Sequence, residues 1–244
     1  MKKPFLRTAL WAAIILGAAT ACTKDHATVH LNIEGATEAI VVRIEGDHSI
    51  PWDTIAITDG TLNLSLPVDS TLQTFYYLVF NSGGTMRLGI QPGDELNGHV
   101  DARTALTAYT LTGSPLSEQL LTLYTPVLRS STFLDSLDAD RQMHLRDSTE
   151  AGITREKRNY SALEVRYLAH RREIMEAMQK DSSNLANVFG FFQQVGQVSL
   201  FTPGKDLPML ESYAAVLSHA HPNHPLAQIF AQEVTAMRQL LQLP

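Results

Sequence analysis

The chain has 244 residues, 44% of them hydrophobic and 18% charged, which is the composition of a globular protein with a real core and not of a disordered one. Its net charge of −6 argues against nucleic acid as a partner, because phosphate backbones are bound by clustered Lys and Arg. The single cysteine, Cys22, excludes an internal disulfide, a Cys-x-x-Cys redox pair and a multi-cysteine zinc site.

Residues 1–21 predict the signal peptide of a bacterial lipoprotein. They begin with the positive charges of Lys2, Lys3 and Arg7, continue with the apolar run 10–16 and end in small residues. The apolar stretch is shorter than the roughly 20 residues that a membrane-spanning helix needs, so a permanent transmembrane anchor is not expected. Removal of this segment lowers the net charge from −6 to −9, because three basic residues and no acid are lost.

Cys22 is predicted to carry a lipid, because small residues directly before a cysteine resemble a lipobox, although Ala19 stands where that motif usually has Leu. The alternative is a secretory peptide cut after Ala21, which leaves a free thiol that is hard to explain in an oxidising compartment. Acyl chains on Cys22 would anchor the chain to a membrane, with residues 22–27 as a tether. The predicted location is the cell envelope, at the outer membrane, on its periplasmic face or at the cell surface.

Residues 28–112 are predicted to form an antiparallel β-sandwich or open barrel. Short alternations of apolar and polar residues recur through this region and are separated by turn residues such as Asp59-Gly60. The expected strands lie at residues 29–33, 39–44, 52–58, 61–66, 75–80, 85–90, 95–100 and 109–111.

Residues 113–244 are predicted to be helical, which makes the chain an α+β protein. Ser114 at the cap and Pro115 at the first helical position favour a helix start, and Pro126 is expected to end this helix. Further helices are expected at residues 138–180, 185–198, 207–219 and 225–243. The long helix carries one apolar stripe, formed by Ile153, Tyr160, Leu163, Tyr167, Ile174 and Met178.

Aromatic side chains of the β region are candidates for ligand contact. Trp52 and Tyr76 could form a stacking platform for a sugar, since alternation places Phe75 and Tyr77 on one face of their strand and Tyr76 on the other. The competing interpretation places one face of this strand in the core and leaves Tyr76 as an ordinary surface residue. An exposed cleft lined by Trp52 or Tyr76 would favour ligand binding.

Three imidazoles are the candidates for a metal site. His219, His221 and His224 lie close enough in sequence to bind zinc or copper. The favoured interpretation is a turn between two helices, because His219 suits a helix C-terminus and Pro225 in the next first turn would make His224 the cap. No other motif indicates catalysis, and no cofactor is predicted.

Short motifs follow one another after the predicted lipobox: Leu-Asn-Ile-Glu-Gly at 31–35, Trp-Asp-Thr-Ile at 52–55, Asp-Gly-Thr-Leu at 59–62, Leu-Gly-Ile-Gln-Pro-Gly-Asp at 88–94 and Leu-Thr-Gly-Ser at 111–114. In this order they resemble the domain of unknown function that precedes the thioredoxin-like domain in bacterial thiol:disulfide oxidoreductase lipoproteins. The resemblance covers residues 27–130 and implies a small β domain that leads into helices. In that family a Cys-x-x-Cys site follows, whereas Cys22 is the only cysteine here, so no redox activity is carried over.

Three hypotheses for function follow. The leading one is a non-enzymatic, lipid-anchored envelope protein that presents a surface to a partner protein, such as a separately encoded thioredoxin-like enzyme; an uncovered helical stripe would favour it. The second is a lipoprotein that binds a glycan or another small ligand through its β domain. The third is a hydrolase with an unrecognised site, which convergent carboxylates or histidines in a pocket would favour.

Overall fold

The computed structural model describes residues 25–46, 48–69, 72–103, 108–144 and 148–241. An N-terminal β half is followed by a C-terminal helical half, which confirms the predicted α+β class. The strands are β1 His26–Glu34, β2 Glu38–Glu45, β3 His48–Ala56, β4 Thr61–Pro67, β5 Thr74–Phe80, β6 Thr85–Ile90, β7 Glu95–Asp101, β8 Ala108–Thr112, β9 Gln194–Val195 and β10 Val198–Ser199. The helices are α1 Pro115–His144, α2 Glu150–Lys180, α3 Asn187–Phe191, α4 Pro203–Ala220 and α5 Pro225–Leu241.

The first eight strands form two four-stranded sheets, in the orders β4-β1-β7-β8 and β3-β2-β5-β6. The chain passes back and forth between the sheets, so strands that neighbour in space are often distant in sequence. The pairings are antiparallel except that of β1 with β7, which is parallel, with Thr28 opposite Glu95 and Glu34 opposite Asp101. The alternating sequence pattern that predicted the sandwich does not distinguish these two pairings, because side chains alternate in both.

The two sheets enclose one apolar core. Val29 and Leu31 of β1 and Leu78 of β5 are among its buried members, and every second residue along these strands points into it. Each fully buried side chain of this size contributes about 1.5–3 kcal/mol relative to exposure. The predicted period-2 pattern therefore corresponds to a real buried interface between the sheets.

The helical half is joined to the outer face of the second sheet at β6. Oγ of Ser114 and of Ser117 donate to the carbonyl oxygen of Gly89 at 2.8 and 2.6 Å, and the Gly89 N–H donates to Oγ of Ser117 at 3.0 Å. A Cβ atom at Gly89 would lie only 2.5 Å from Cγ of Leu116. The start of α1 at Pro115, as predicted, lies against this strand because glycine leaves room for the close approach.

The first two helices form a long antiparallel hairpin whose break is not where the sequence pattern placed it. α1 continues through Pro126, which is buried together with Leu123 and Tyr124. The free energy gained by packing this face offsets the loss of the helical hydrogen bond that proline cannot make. The predictions of a helix end at Pro126 and of one helix over 138–180 are wrong. α2 begins at Glu150, where Oγ1 of Thr149 accepts from the Gly152 N–H at 3.2 Å and caps the helix.

The prediction of a helix over residues 185–198 is also wrong beyond Phe191. Only α3 is helical, and the chain then forms the small hairpin of β9 and β10, in which Gly196 has a φ of 60°. A residue in the left-handed conformation of Gly196 cannot continue a helix, so the segment 193–200 forms this hairpin instead. The predictions of helices at 207–219 and 225–243 correspond to α4 and α5. Within the described residues, no helix combines the length and apolarity needed to cross a bilayer.

Candidate functional site

Tyr76 is not part of an exposed ligand platform, so that prediction is wrong. Its side chain is fully buried between the sheets, and its hydroxyl donates to the carbonyl oxygen of Pro67 at 2.7 Å. Burial raises the pKa of Tyr76. On the other face of β5, Phe75 is buried against the helices, and Tyr77 is half-buried. The alternation of the two faces was predicted correctly, but both faces are covered. The face of Phe75 and Tyr77 packs against α1 and α3, and the face of Tyr76 packs against the other sheet.

Trp52 lies apart from Tyr76, on the edge strand β3, and is 51% exposed. The register between β2 and β3 shifts here: Val41 lies opposite Asp53 and Val42 opposite Pro51, so Trp52 is left without a partner. Such a bulge re-aims a side chain at a sheet edge. Cζ of Arg43 lies 5.9 Å from the centre of the indole ring. A ligand contact through Trp52 stays a prediction.

His219 lies in the last turn of α4, and His221 and His224 lie in the turn between α4 and α5, where they have separate partners. Nε2 of His221 lies 2.7 Å from the carbonyl oxygen of Ser183. His224 is buried; its Nδ1 accepts from the Leu226 N–H at 3.1 Å, and its Nε2 lies 2.8 Å from the carbonyl oxygen of Gln73. Among the described residues, no group of three or more His, Cys, Asp and Glu side chains could hold a metal ion.

His224 is the cap of α5, and its two hydrogen bonds fix its tautomer. The Leu226 N–H can only donate and the Gln73 carbonyl can only accept, so Nε2 carries the proton and Nδ1 does not. Burial lowers the pKa of His224, and the bond to Gln73 opposes this effect. The cap is therefore made by a neutral imidazole, which also ties the helical half to the β half.

A buried chain of hydrogen bonds crosses the helices at His170. Oγ of Ser130 lies 2.9 Å from Nδ1 of His170, Nε2 of His170 lies 2.8 Å from Oε1 of Gln193, and Nε2 of Gln193 donates to the carbonyl oxygen of Leu123 at 2.9 Å. A serine beside an imidazole is the pairing of a nucleophile and its base. Here the serine is buried in the middle of a helix, so the arrangement links α1, α2 and the segment after α3.

A second link holds the segment before α4 against α2. The guanidinium of Arg171 pairs with both carboxylate oxygens of Asp206, at 2.5 and 3.1 Å, and donates to the carbonyl oxygen of Leu200. Oδ2 of Asp206 also accepts from the Thr202 N–H at 2.8 Å. Burial opposes ionisation of Asp206, but these hydrogen bonds outweigh it and leave its pKa lowered. The hydroxyl of Tyr167 donates to the same segment, at the carbonyl oxygen of Ser199.

The apolar stripe of α2 is covered along only half of its length. Ile174 and Met178 are buried, and Leu163 and Tyr167 are partly buried against the helical core. The rest of the stripe is exposed to solvent, and Leu168 beside it is exposed as well. The exposed fractions are 53% for Ile153, 69% for Tyr160 and 55% for Leu168.

A pocket of about 250 Å³ opens where the β half meets the helices. Its lining includes Tyr77 and Arg87 from the second sheet, Tyr124 from α1, and Phe192, Gln193 and Gln194 from the segment after α3. Cζ of Arg87 lies 3.9 Å from the ring centre of Tyr124 and 5.6 Å from that of Tyr77. The sequence did not indicate this site, because its residues come from three separate regions of the chain.

The comparisons with known proteins do not assign a class to this fold and these sites. A scan against protein-family models, a search of curated proteins and a search of solved structures each found no match to this chain. The predicted lipid-attachment residue, Cys22, lies outside the described residues.

Proposed function

We propose that this chain is a non-enzymatic protein-interaction module, and that the first half of α2 is its contact surface. The observation that carries this proposal is the row of Ile153, Tyr160 and Leu168, each more than half exposed on one side of the helix. Large apolar side chains grouped on a surface mark sites of association, whereas scattered ones do not. At 3.6 residues per turn these three side chains fall within an arc of about 80°.

The surface has a charge pattern that narrows the class of partner. Lys157 and Glu164 are both exposed within the same arc as Ile153 and Tyr160, so the row carries one charge of each sign. A protein that covers this surface needs an apolar strip to bury the row, with an acidic group opposite Lys157 and a basic group opposite Glu164. An amphipathic helix with both kinds of charge on its flank meets these requirements, since it can lie along the exposed half of α2.

Attachment to a membrane completes the proposal. A lipid on Cys22 and a short tether would hold the module at the cell envelope, at the outer membrane, on its periplasmic face or at the cell surface. A partner in that compartment, such as a separately encoded thioredoxin-like enzyme, would then meet a surface that is concentrated at the membrane. These statements rest on the signal-like sequence of residues 1–21 and on the family resemblance.

The test is site-specific photo-crosslinking in intact cells. We would place p-benzoylphenylalanine at Tyr160 and, as the matched control, at Arg158, which is exposed on the same helix about 160° around its axis from Tyr160. We expect one discrete adduct with a second protein from Tyr160 and at least about tenfold less of it from Arg158, because contact is confined to the apolar side. No adduct from Tyr160, equal adducts from both positions, or an adduct of twice the chain mass would each overturn the proposal.

The two other hypotheses have less support. A glycan platform loses Tyr76, which is buried, and keeps only Trp52. A hydrolase would need a nucleophile that substrate can reach, and the serine with a neighbouring imidazole, Ser130, is buried within α1. The exposed row on α2 therefore gives the interaction module more support than the other two hypotheses have.

A further inference from the structure

The pocket between the β half and the helices contains a cation whose charge is not balanced by a neighbouring acid. Among the described residues, the guanidinium of Arg87 makes no ion pair, and its Nη1 is buried without a hydrogen-bond partner. Its neighbours are instead the rings of Tyr124 and Tyr77. Arg87 as a whole is half-buried, and a guanidinium nitrogen that is buried without an acceptor favours an anion nearby.

Nε of Arg43 and of Arg166 is likewise buried without a hydrogen-bond partner, but the other half-buried arginines differ from Arg87 in that each has an acidic partner. Arg43 pairs with Glu45 at 3.1 Å, Arg166 with Glu173 at 3.0 Å, and Arg171 with Asp206 at 2.5 Å. The chain as a whole has more acidic than basic residues, so carboxylates are abundant. The missing partner of Arg87 is therefore a local property of the pocket.

We propose that this pocket binds a small carboxylate that carries one aromatic ring, with Arg87 as the counter-ion of the carboxylate. The guanidinium of Arg87 lies over the ring of Tyr124 and is only half-buried, so its accessible part can donate charge-assisted hydrogen bonds to a carboxylate. The amide of Gln194 lines the same pocket and can supply a further polar contact. Phe192 is 54% exposed beside it and offers a ring face at the pocket.

The charge and the volume of the pocket define the ligand class. Arg87 is the only cation among the described lining residues, so a singly charged carboxylate is balanced and a phosphate dianion is not. A closed cavity of about 150 Å³ holds one benzene ring. The pocket, at about 250 Å³, has space for one ring and its carboxylate but is smaller than a typical site for a drug-sized ligand.

The test compares two probes that differ in charge and hardly in shape, benzoate and benzamide. We would titrate the purified full chain with each and measure binding by saturation-transfer-difference NMR. Benzoate is expected to bind saturably and at least about tenfold more tightly than benzamide, because a hydrogen bond between two charged partners is stronger than one to a neutral amide. Equal binding of the two probes, or no saturable binding of benzoate, would overturn the proposal without any variant.

Two variants then test whether benzoate binds in this pocket. Arg87→Gln is expected to weaken benzoate binding at least about tenfold. Arg43→Gln is the matched control, because Arg43 also lies near an aromatic ring but is paired with Glu45, and it should leave binding unchanged. Benzoate binding that survives in a folded Arg87→Gln variant, or is lost equally in Arg43→Gln, would show that the pocket is not the site.

Discussion

Ser130 of α1 and His170 of α2 share a hydrogen bond of 2.9 Å in the interior of the helical hairpin, 40 residues apart in sequence. The direction of this bond follows from its neighbours and from burial. Nε2 of Gln193 donates to a carbonyl, so its Oε1 accepts from Nε2 of His170. Burial lowers the pKa of His170, and in the neutral imidazole Nδ1 accepts from the Ser130 hydroxyl.

Replacement of His170 is expected to destabilise the protein strongly. His170→Leu fills a similar space but leaves the Ser130 hydroxyl and the Gln193 carbonyl without a partner, which costs about 2–5 kcal/mol of unfolding free energy. His219→Ala, at an exposed position, should change it by less than about 0.5 kcal/mol. Urea unfolding of both variants measures the difference. Equal effects would mean that the buried chain of hydrogen bonds contributes nothing.

Stability is expected to fall as the pH drops below the ordinary histidine value of 6.5. Burial lowers the pKa of His170 and of His224 in the folded state, so the unfolded chain takes up protons first. Each histidine then removes at most about 1.4 kcal/mol of unfolding free energy per pH unit, between 6.5 and its lowered pKa. Denaturant unfolding from pH 7.5 to 5 measures this slope.

The contribution of His224 to that slope can be separated from its role as a cap. Asn is a good helix cap and does not titrate, so His224→Asn keeps an acceptor for the Leu226 N–H and removes the titration. The variant should show a shallower loss of stability below pH 6.5. An unchanged slope would assign the pH dependence to other groups.

The ion pair of Arg171 with Asp206 is expected to contribute far more to the free energy of unfolding than the ion pair of Arg172 with Glu176 on the same helix. Arg171→Met leaves a nearly buried carboxylate without its cation and should cost about 2–3 kcal/mol, below the 3–5 kcal/mol of a fully buried pair because Arg171 is partly exposed. Arg172→Met removes only an exposed contact with Glu176 at 3.8 Å and should change stability by less than about 1 kcal/mol. Thermal and urea unfolding of the two variants provide the test.

The same pair makes a prediction at acid pH. The pKa of Asp206 is lowered in the folded state from its ordinary value of 3.8, so its stabilisation is complete above that pH and is lost as the pH falls further. Arg171→Met should reduce the loss of stability between pH 5 and pH 2. A variant that loses stability as steeply as the unmodified chain would contradict this assignment.

Gly89 is expected to tolerate no side chain. In Gly89→Ala the new Cβ would meet Cγ of Leu116 at 2.5 Å, and separation of α1 from β6 should cost about 1–3 kcal/mol. Gly204→Ala is the control, because no atom lies within 4 Å of its Cβ position in α4 and alanine favours helix, so stability should be equal or slightly higher. Thermal unfolding of both variants distinguishes packing at the joint from a general effect of alanine.

The anchor has an independent test at Cys22. Cys22→Ser is expected to abolish labelling of the chain with a radioactive or clickable fatty acid, and to move it from the membrane fraction to the soluble fraction, because the acylated sulfur is lost. Cell fractionation and immunoblotting measure both outcomes. Continued membrane retention of this variant would show that Cys22 is not the anchor.

Some features of this protein follow from local sequence because local physics decides them. The alternation in residues 29–33 and 75–80 predicted the strands, and Ser114-Pro115 predicted the start of α1. Pro126 misled because its local preference to end a helix is small beside the apolar surface that α1 buries on both sides of it. Tyr76 misled because alternation separates two faces of a strand but does not say which one is covered.

The sequence by itself determined the α+β class, the single cysteine and the positions of most strands and helices. Only the tertiary structure decided which apolar faces stay exposed and which polar groups find partners. The uncovered half of the α2 stripe and the unbalanced charge of Arg87 both depend on packing between segments far apart in the chain. Sequence periodicity predicts that a helix has an apolar side. The length of that side which is buried depends on which other elements pack against it in the folded chain.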